Sequence, residues 1–212
     1  MLRRTFLGLA AASSLLCGCS VRRRRENEVF ASYLKALAGP QSFPGGLPLW
    51  DQPFVAGDPN PGSIALVVAS RTKPVSPHNW KSIEAICETL PKVQRSAAAD
   101  LMSRDASDEP VTLSAASLPP RIDVELVPPG VLQKMFGQPG DLDDRWAEFH
   151  RRYPRASGIA AFSSVGFSAD GNQAVFMFER SCGSLCGTGH AVLMRRIPTG
   201  WMVMDHRSLW VS

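Results

Sequence analysis

The chain has no apolar run long enough to cross a membrane, and its longest, Leu7 to Leu16, is short. A spanning helix needs roughly 20 apolar residues for a hydrocarbon core of about 30 Å, so this run is a signal core and not an anchor. Catalytic signatures are missing as well: there is no G-x-S-x-G elbow, no H-E-x-x-H, no phosphate-binding G-x-x-x-x-G-K and no dinucleotide fingerprint. No catalytic residue is assigned on this basis. The histidines are few, namely His78 in a proline-flanked turn, His150 on the charged side of a helix, His190 and His206. Asp205 and His206 are adjacent, and neighbours on a strand point to opposite faces, so they need not pair. Glu148 and Glu179 are carboxylates whose separation the sequence does not fix. No internal repeat at a period of about 20 to 50 residues is visible, which argues against a solenoid.

Excess charge is also lacking once the ends are set aside. The chain carries 23 basic and 19 acidic side chains, but Arg3, Arg4 and the run Arg22 to Arg25 account for the surplus. From Glu26 onward the chain is slightly acidic. That removes the usual electrostatic footprint of nucleic-acid binding, and no nucleic-acid partner is expected.

What is present begins at the N-terminus. Arg3 and Arg4, followed by Thr5-Phe6-Leu7, resemble the signal read by the twin-arginine translocase, with general secretion as the competing route. Leu16-Cys17-Gly18-Cys19 resembles a bacterial lipobox. The expectation is a signal peptide over 1–18, removed after Cys19 receives a covalent lipid of the diacylglycerol and palmitate kind. The alternative is ordinary signal cleavage, leaving Cys19 as a bystander thiol. Residues 19–27 are then expected to form a lipidated basic tether. Each arginine near an anionic surface is worth about 1 kcal/mol, and a basic stretch that merely solvates the tether is the plainer alternative. The implied location is exported and membrane-anchored, facing the periplasm or the cell exterior, with membrane lipid as one partner and an envelope protein or the cell wall as another.

From residue 28 to 212 the pattern predicts one α+β domain, N-terminal helices and loops followed by a C-terminal antiparallel β-meander. Val29, Tyr33, Ala36 and Leu37 predict a helix over Glu28 to Ala38. Gln41 to Gly62, crowded with proline and glycine, reads as either a linker or an extended segment laid over the domain, and Leu47, Leu49, Trp50, Phe54 and Val55 favour the second. Ile64 to Ala69 and Arg121 to Val127 predict strands. A helix is expected after Ser76-Pro77, a second over Lys92 to Ser103 beyond the break at Pro91, and a loop over Asp105 to Pro120. Val131 to Phe136 and Leu142 to Tyr153 predict helices, the latter with a core-facing stripe of Leu142, Trp146 and Phe149. Strands are predicted over Ile159 to Phe167, Gln173 to Arg180, Ala191 to Ile197 and Trp201 to Asp205. Gln173 to Arg180 is apolar on both alternating sets, so cover on both faces is expected.

Ser181 to His190 contains three glycines and reads as a loop. Cys182 and Cys186 are natural disulfide partners in an oxidising compartment. The alternative is a copper or zinc site of Cys182, Cys186 and His190, or a thiol redox centre; the two thiol states exclude each other. No other cofactor is expected. Cys87 is taken as a small core residue.

Tyr153-Pro154, Gly158, Phe162-Ser163, Val165-Gly166-Phe167 and the Cys-Gly-x-Leu-Cys-Gly-x-Gly hairpin resemble the C-terminal part of a family of uncharacterised secreted bacterial proteins and lipoproteins. The resemblance spans roughly residues 126 to 205 and implies a shared domain rather than a reaction. Members often carry arginine where this chain has Ser164, and an aromatic residue where it has His190.

Overall fold

A computed structural model describes residues 7–37, 65–73, 80–107, 110–118 and 123–212. The elements in chain order are α1 (Leu7–Leu37), β1 (Ala65–Ala69), α2 (Ile83–Thr89), α3 (Arg95–Ser107), β2 (Asp123–Val127), α4 (Pro129–Phe136) and α5 (Leu142–Arg152). Strands β3 (Ile159–Phe162), β4 (Gly166–Phe167), β5 (Gln173–Gly183), β6 (Cys186–Ile197) and β7 (Gly200–Val211) complete them. The fold is α+β. One mixed seven-stranded sheet runs in the order β2-β1-β3-β5-β6-β7, with β4 also on β5. The β1 pairings with β2 and β3 are parallel, and the chain from β3 onward pairs antiparallel.

The sheet is covered on both faces. α1 lies on one, where Val29, Phe30, Tyr33, Leu34 and Leu37 meet Phe162, Phe176, Phe178, Val192 and Met194. On the other, α2 and α3 supply Ile86, Ala97, Ala98 and Leu101 against Val175, Met177, Ala191 and Leu193. Farther along, α4 and α5 cover Val67 and Val127 with Trp146, Phe149 and Tyr153. The two alternating sets of β5 therefore enter two different cores, as its double apolar pattern predicts.

Several boundaries differ from expectation. The strand expected over Ile159 to Phe167 breaks between β3 and β4, because the Ser163 hydroxyl accepts from the Met177 amide (2.8 Å) and bonds the Ser164 carbonyl (2.8 Å). Gly166 then passes so close to α3 that a Cβ there would lie 2.6 Å from the backbone nitrogen of Leu101. α3 runs on to Ser107, shortening the loop expected from Asp105, and Ala115–Ser117 forms a 3-10 turn within it. Ser76-Pro77 and Gln41 to Gly62 lie outside the described residues. α2 starts instead at Ser82, whose hydroxyl accepts from the Ala85 amide at 3.2 Å, a capping bond that satisfies a free helix donor.

The largest correction concerns residues 19–27. The helix expected from Glu28 is already formed before it, and the tether is part of the fold from Arg22 onward. Arg22 donates to both carboxylate oxygens of Asp100 (2.7 and 3.2 Å) and to the Val165 carbonyl (2.9 Å). Arg25 donates to the Gly171 carbonyl (3.0 Å) and lies over the Phe167 ring. Glu26 is fully buried beside Arg22, and burial holds its carboxyl above the ordinary range against the pull of Arg22 and Arg104. The Asn27 carboxamide accepts from the Ser114 amide (2.7 Å). Of the four arginines only Arg23 and Arg24 face outward. The physical reason is period: residues 22, 26, 29, 30, 33 and 37 fall on one helical face, so the polar positions continue the stripe that the apolar ones define.

Candidate functional site

Two features stand out, one at the tip of the sheet and one under α1. At the tip, β5 and β6 are joined by the two-residue turn Ser184-Leu185, and Gly183 pairs with Cys186. Cys182 and Cys186 are disulfide-bonded with Cα atoms 5.0 Å apart, inside the usual range. In the chain-entropy picture so short a loop contributes about 2 kcal/mol, so the bridge mainly fixes the shape of the tip. Leu185 is 86% exposed on that turn. The wide loop expected over Ser181 to His190 is therefore strand almost throughout. Its glycines serve space rather than turning: Gly187 and Gly189 lie under the Trp210 indole, and a Cβ at Gly187 would meet that ring at 3.0 Å. Positive φ occurs instead in the two other turns, at Gly171 (69°) and Gly200 (130°).

The structure does not bring His190 to the cysteines. It lies four residues along β6 from Cys186, about 13 Å at the usual strand rise. Among the described residues no group of three or more His, Cys, Asp or Glu side chains is placed to hold a metal ion. Cys87, half-buried, is the free cysteine of the described residues and packs against the α2–α3 core. Glu148 and Glu179 are not a pair, since each faces a base, Arg151 and Lys73 respectively. His150 contacts the Trp146 and Phe149 rings on α5. His78 lies outside the described residues, as do the side chains of Arg3, Arg4 and Cys19.

Under α1 the structure assembles a cluster that the sequence does not announce. His190 on β6 and His206 on β7 stack with ring centroids 4.4 Å apart and planes 29° apart. They are diagonal neighbours, because His190 is in register with Ser208 while Val192 is in register with His206. The Tyr33 hydroxyl and His206 Nε2 share a hydrogen bond of 3.0 Å, whose direction follows the tautomer. Tyr33 is fully buried against Phe162, Phe176 and Phe178. His190 is 4% exposed, and neither of its ring nitrogens has a hydrogen-bond partner among the described residues. Burial lowers the His190 pKa to about 4; burial and then the neighbouring His190 lower that of His206 to about 3. Burial alone raises the Tyr33 phenol well above its ordinary value. Asp205 takes no part: it accepts from the His206 backbone amide (2.9 Å) and pairs with Arg207 (3.0 Å). The sequence pattern places His190 at the end of a loop, and only the strand register sets it opposite Phe178.

No protein-family model, curated protein or solved structure matches this chain.

Proposed function

We propose that the chain is an exported lipoprotein, held to the membrane through lipid on Cys19, that acts as a non-catalytic envelope binding or accessory module. One geometric observation carries this reading. The helix that continues from Cys19 and the disulfide tip lie at opposite ends of the sheet. Arg22 and Arg25 bond Val165 and Gly171, beside the turn that opens β5, while Phe30 and then Tyr33 contact Phe176 and Phe178 farther along it. The start of α1 therefore sits beside the turn that opens β5, and the disulfide closes the far end of that strand. Eleven residues of β5 span about 33 Å at the usual strand rise. With Arg22 fixed three positions after Cys19, little slack separates a lipid from the domain, and the rigid tip bearing Leu185 is held away from the attachment point. The lipobox and the resemblance to secreted proteins support the same reading, and the partner at the tip is an envelope protein or the cell wall.

Metabolic labelling with a clickable fatty acid tests it. Wild type is expected to be labelled and Cys19→Ala unlabelled, with equal expression of both. Equal labelling, or labelling of neither, contradicts the reading.

A further inference from the structure

We propose that Tyr33, His190 and His206 form an acid-sensitive latch that holds α1 on the sheet while both imidazoles are neutral and releases it when they gain protons. The latch does not require the lipid. The stacked pair sits between two strands and the helix that covers them, with one imidazole wholly without hydrogen-bond partners among the described residues. An unpaired buried nitrogen is tolerable when neutral. Once protonated, the same ring carries a charge in an apolar site, a far costlier state. A second proton would set two like charges face to face.

Among the described residues, the elements packed around the pair offer His190 no counter-charge. On α1, Glu26 is paired with Arg22 and Glu28 with Arg24, and Lys35 is exposed. On β5, Glu179 is paired with Lys73, and Arg180, two residues beyond Phe178, adds a positive charge that opposes another. β6 carries no carboxylate, and on β7 Asp205 is engaged by Arg207. β3 brings Phe162 and no ionisable group. Protonation also fixes the bond to the helix: His206 Nε2 must then donate and Tyr33 accept, which reverses the bond wherever the neutral ring accepts at Nε2. Among the described residues no third His, Cys, Asp or Glu side chain joins the pair in a group placed to hold a metal ion.

The direction of the shifts sets the sign. Both imidazoles titrate lower in the closed state than at the ordinary histidine value of about 6.5, so the released state binds more protons. The closed state keeps its full advantage above pH about 6.5 and loses it as pH falls towards about 4, where His190 titrates in place. Within that window each pH unit shifts the open-to-closed ratio by up to about tenfold for each imidazole.

Hydrogen exchange on the full chain in detergent micelles tests the latch. The readout is the protection of α1 amides 29–37 relative to β5 amides 174–178, a ratio that cancels the intrinsic pH dependence of exchange. In wild type the ratio is expected to fall at least tenfold between pH 7.5 and 5.0. In His190→Phe/His206→Phe it is expected to stay level. A wild-type ratio that does not change overturns the proposal, as does an equal fall in the double variant. Should that variant fail to fold, imidazole NMR titration of folded wild type decides: both rings titrating well below 6.5 supports the latch, and ordinary titration of either ring overturns it.

Discussion

Tyr33→Ala is expected to destabilise the domain by about 4 kcal/mol, measured from urea denaturation of the full chain. Large-to-small aromatic substitutions in cores cost about 3 to 5 kcal/mol, the lost transfer energy plus the cavity left behind. Tyr33 belongs at the upper part of that range. It is fully buried, its ring meets three phenylalanines from β3 and β5, and its hydroxyl bonds His206 on β7. One helix residue thus ties together three strands, each separated from it by more than half of the chain. Tyr33→Phe isolates the polar part: the packing survives, one hydrogen bond is lost, and the expected cost is about 1 to 2 kcal/mol. A Tyr33→Ala loss below about 1.5 kcal/mol would show that α1 is not seated on the sheet as described.

The second large effect is at Asp100→Ala, with an expected loss of about 2 to 3 kcal/mol by the same measurement. Asp100 accepts twice from Arg22 and once from the Phe167 backbone amide (2.7 Å), so a single carboxylate joins α1, α3 and β4. Removing one partner of a buried ion pair costs about 3 to 5 kcal/mol because the other charge is left uncompensated. Here the side chains retain 31% and 29% exposure, and solvent moderates the loss. Asp100→Asn keeps an acceptor for Phe167 and is expected to cost less. A change within about 0.5 kcal/mol for Asp100→Ala would place this pair among ordinary surface ion pairs.

The elements legible in the sequence were those whose partners are nearby or whose pattern has one period. Trp146 and Phe149 pack inward as their spacing predicts, although Leu142 at the start of the same stripe is 41% exposed. The turn at Gly171 and the double burial of β5 were equally plain. Harder cases share one property, a residue type that serves a distant contact. Gly187 and Gly189 look like loop residues until Trp210, more than twenty positions on, is laid across them. Arg22, Arg25 and Glu26 look like a solvated charged run until Asp100, Val165 and Gly171 arrive as partners. Tyr33 and His206 meet across 173 positions, a separation at which composition and periodicity carry no information.

An anchor at Cys19 passes directly into the core only if α1 is part of the fold from Arg22 onward. The measurement that tests this most directly is the stability of the full chain with residues 22–27 replaced by a Gly-Ser sequence of equal length. The replacement removes the Arg22–Asp100 pair, the Arg25 bond to Gly171 and the Asn27 bond to Ser114, and it puts glycine into a helix interior at about 1 kcal/mol per position relative to alanine. A loss of at least about 4 kcal/mol, a large fraction of the roughly 5 to 15 kcal/mol by which domains are stable, is the expected result. An unchanged urea midpoint would mean that these residues are a tether after all, and that the core begins only with the apolar face after Glu28.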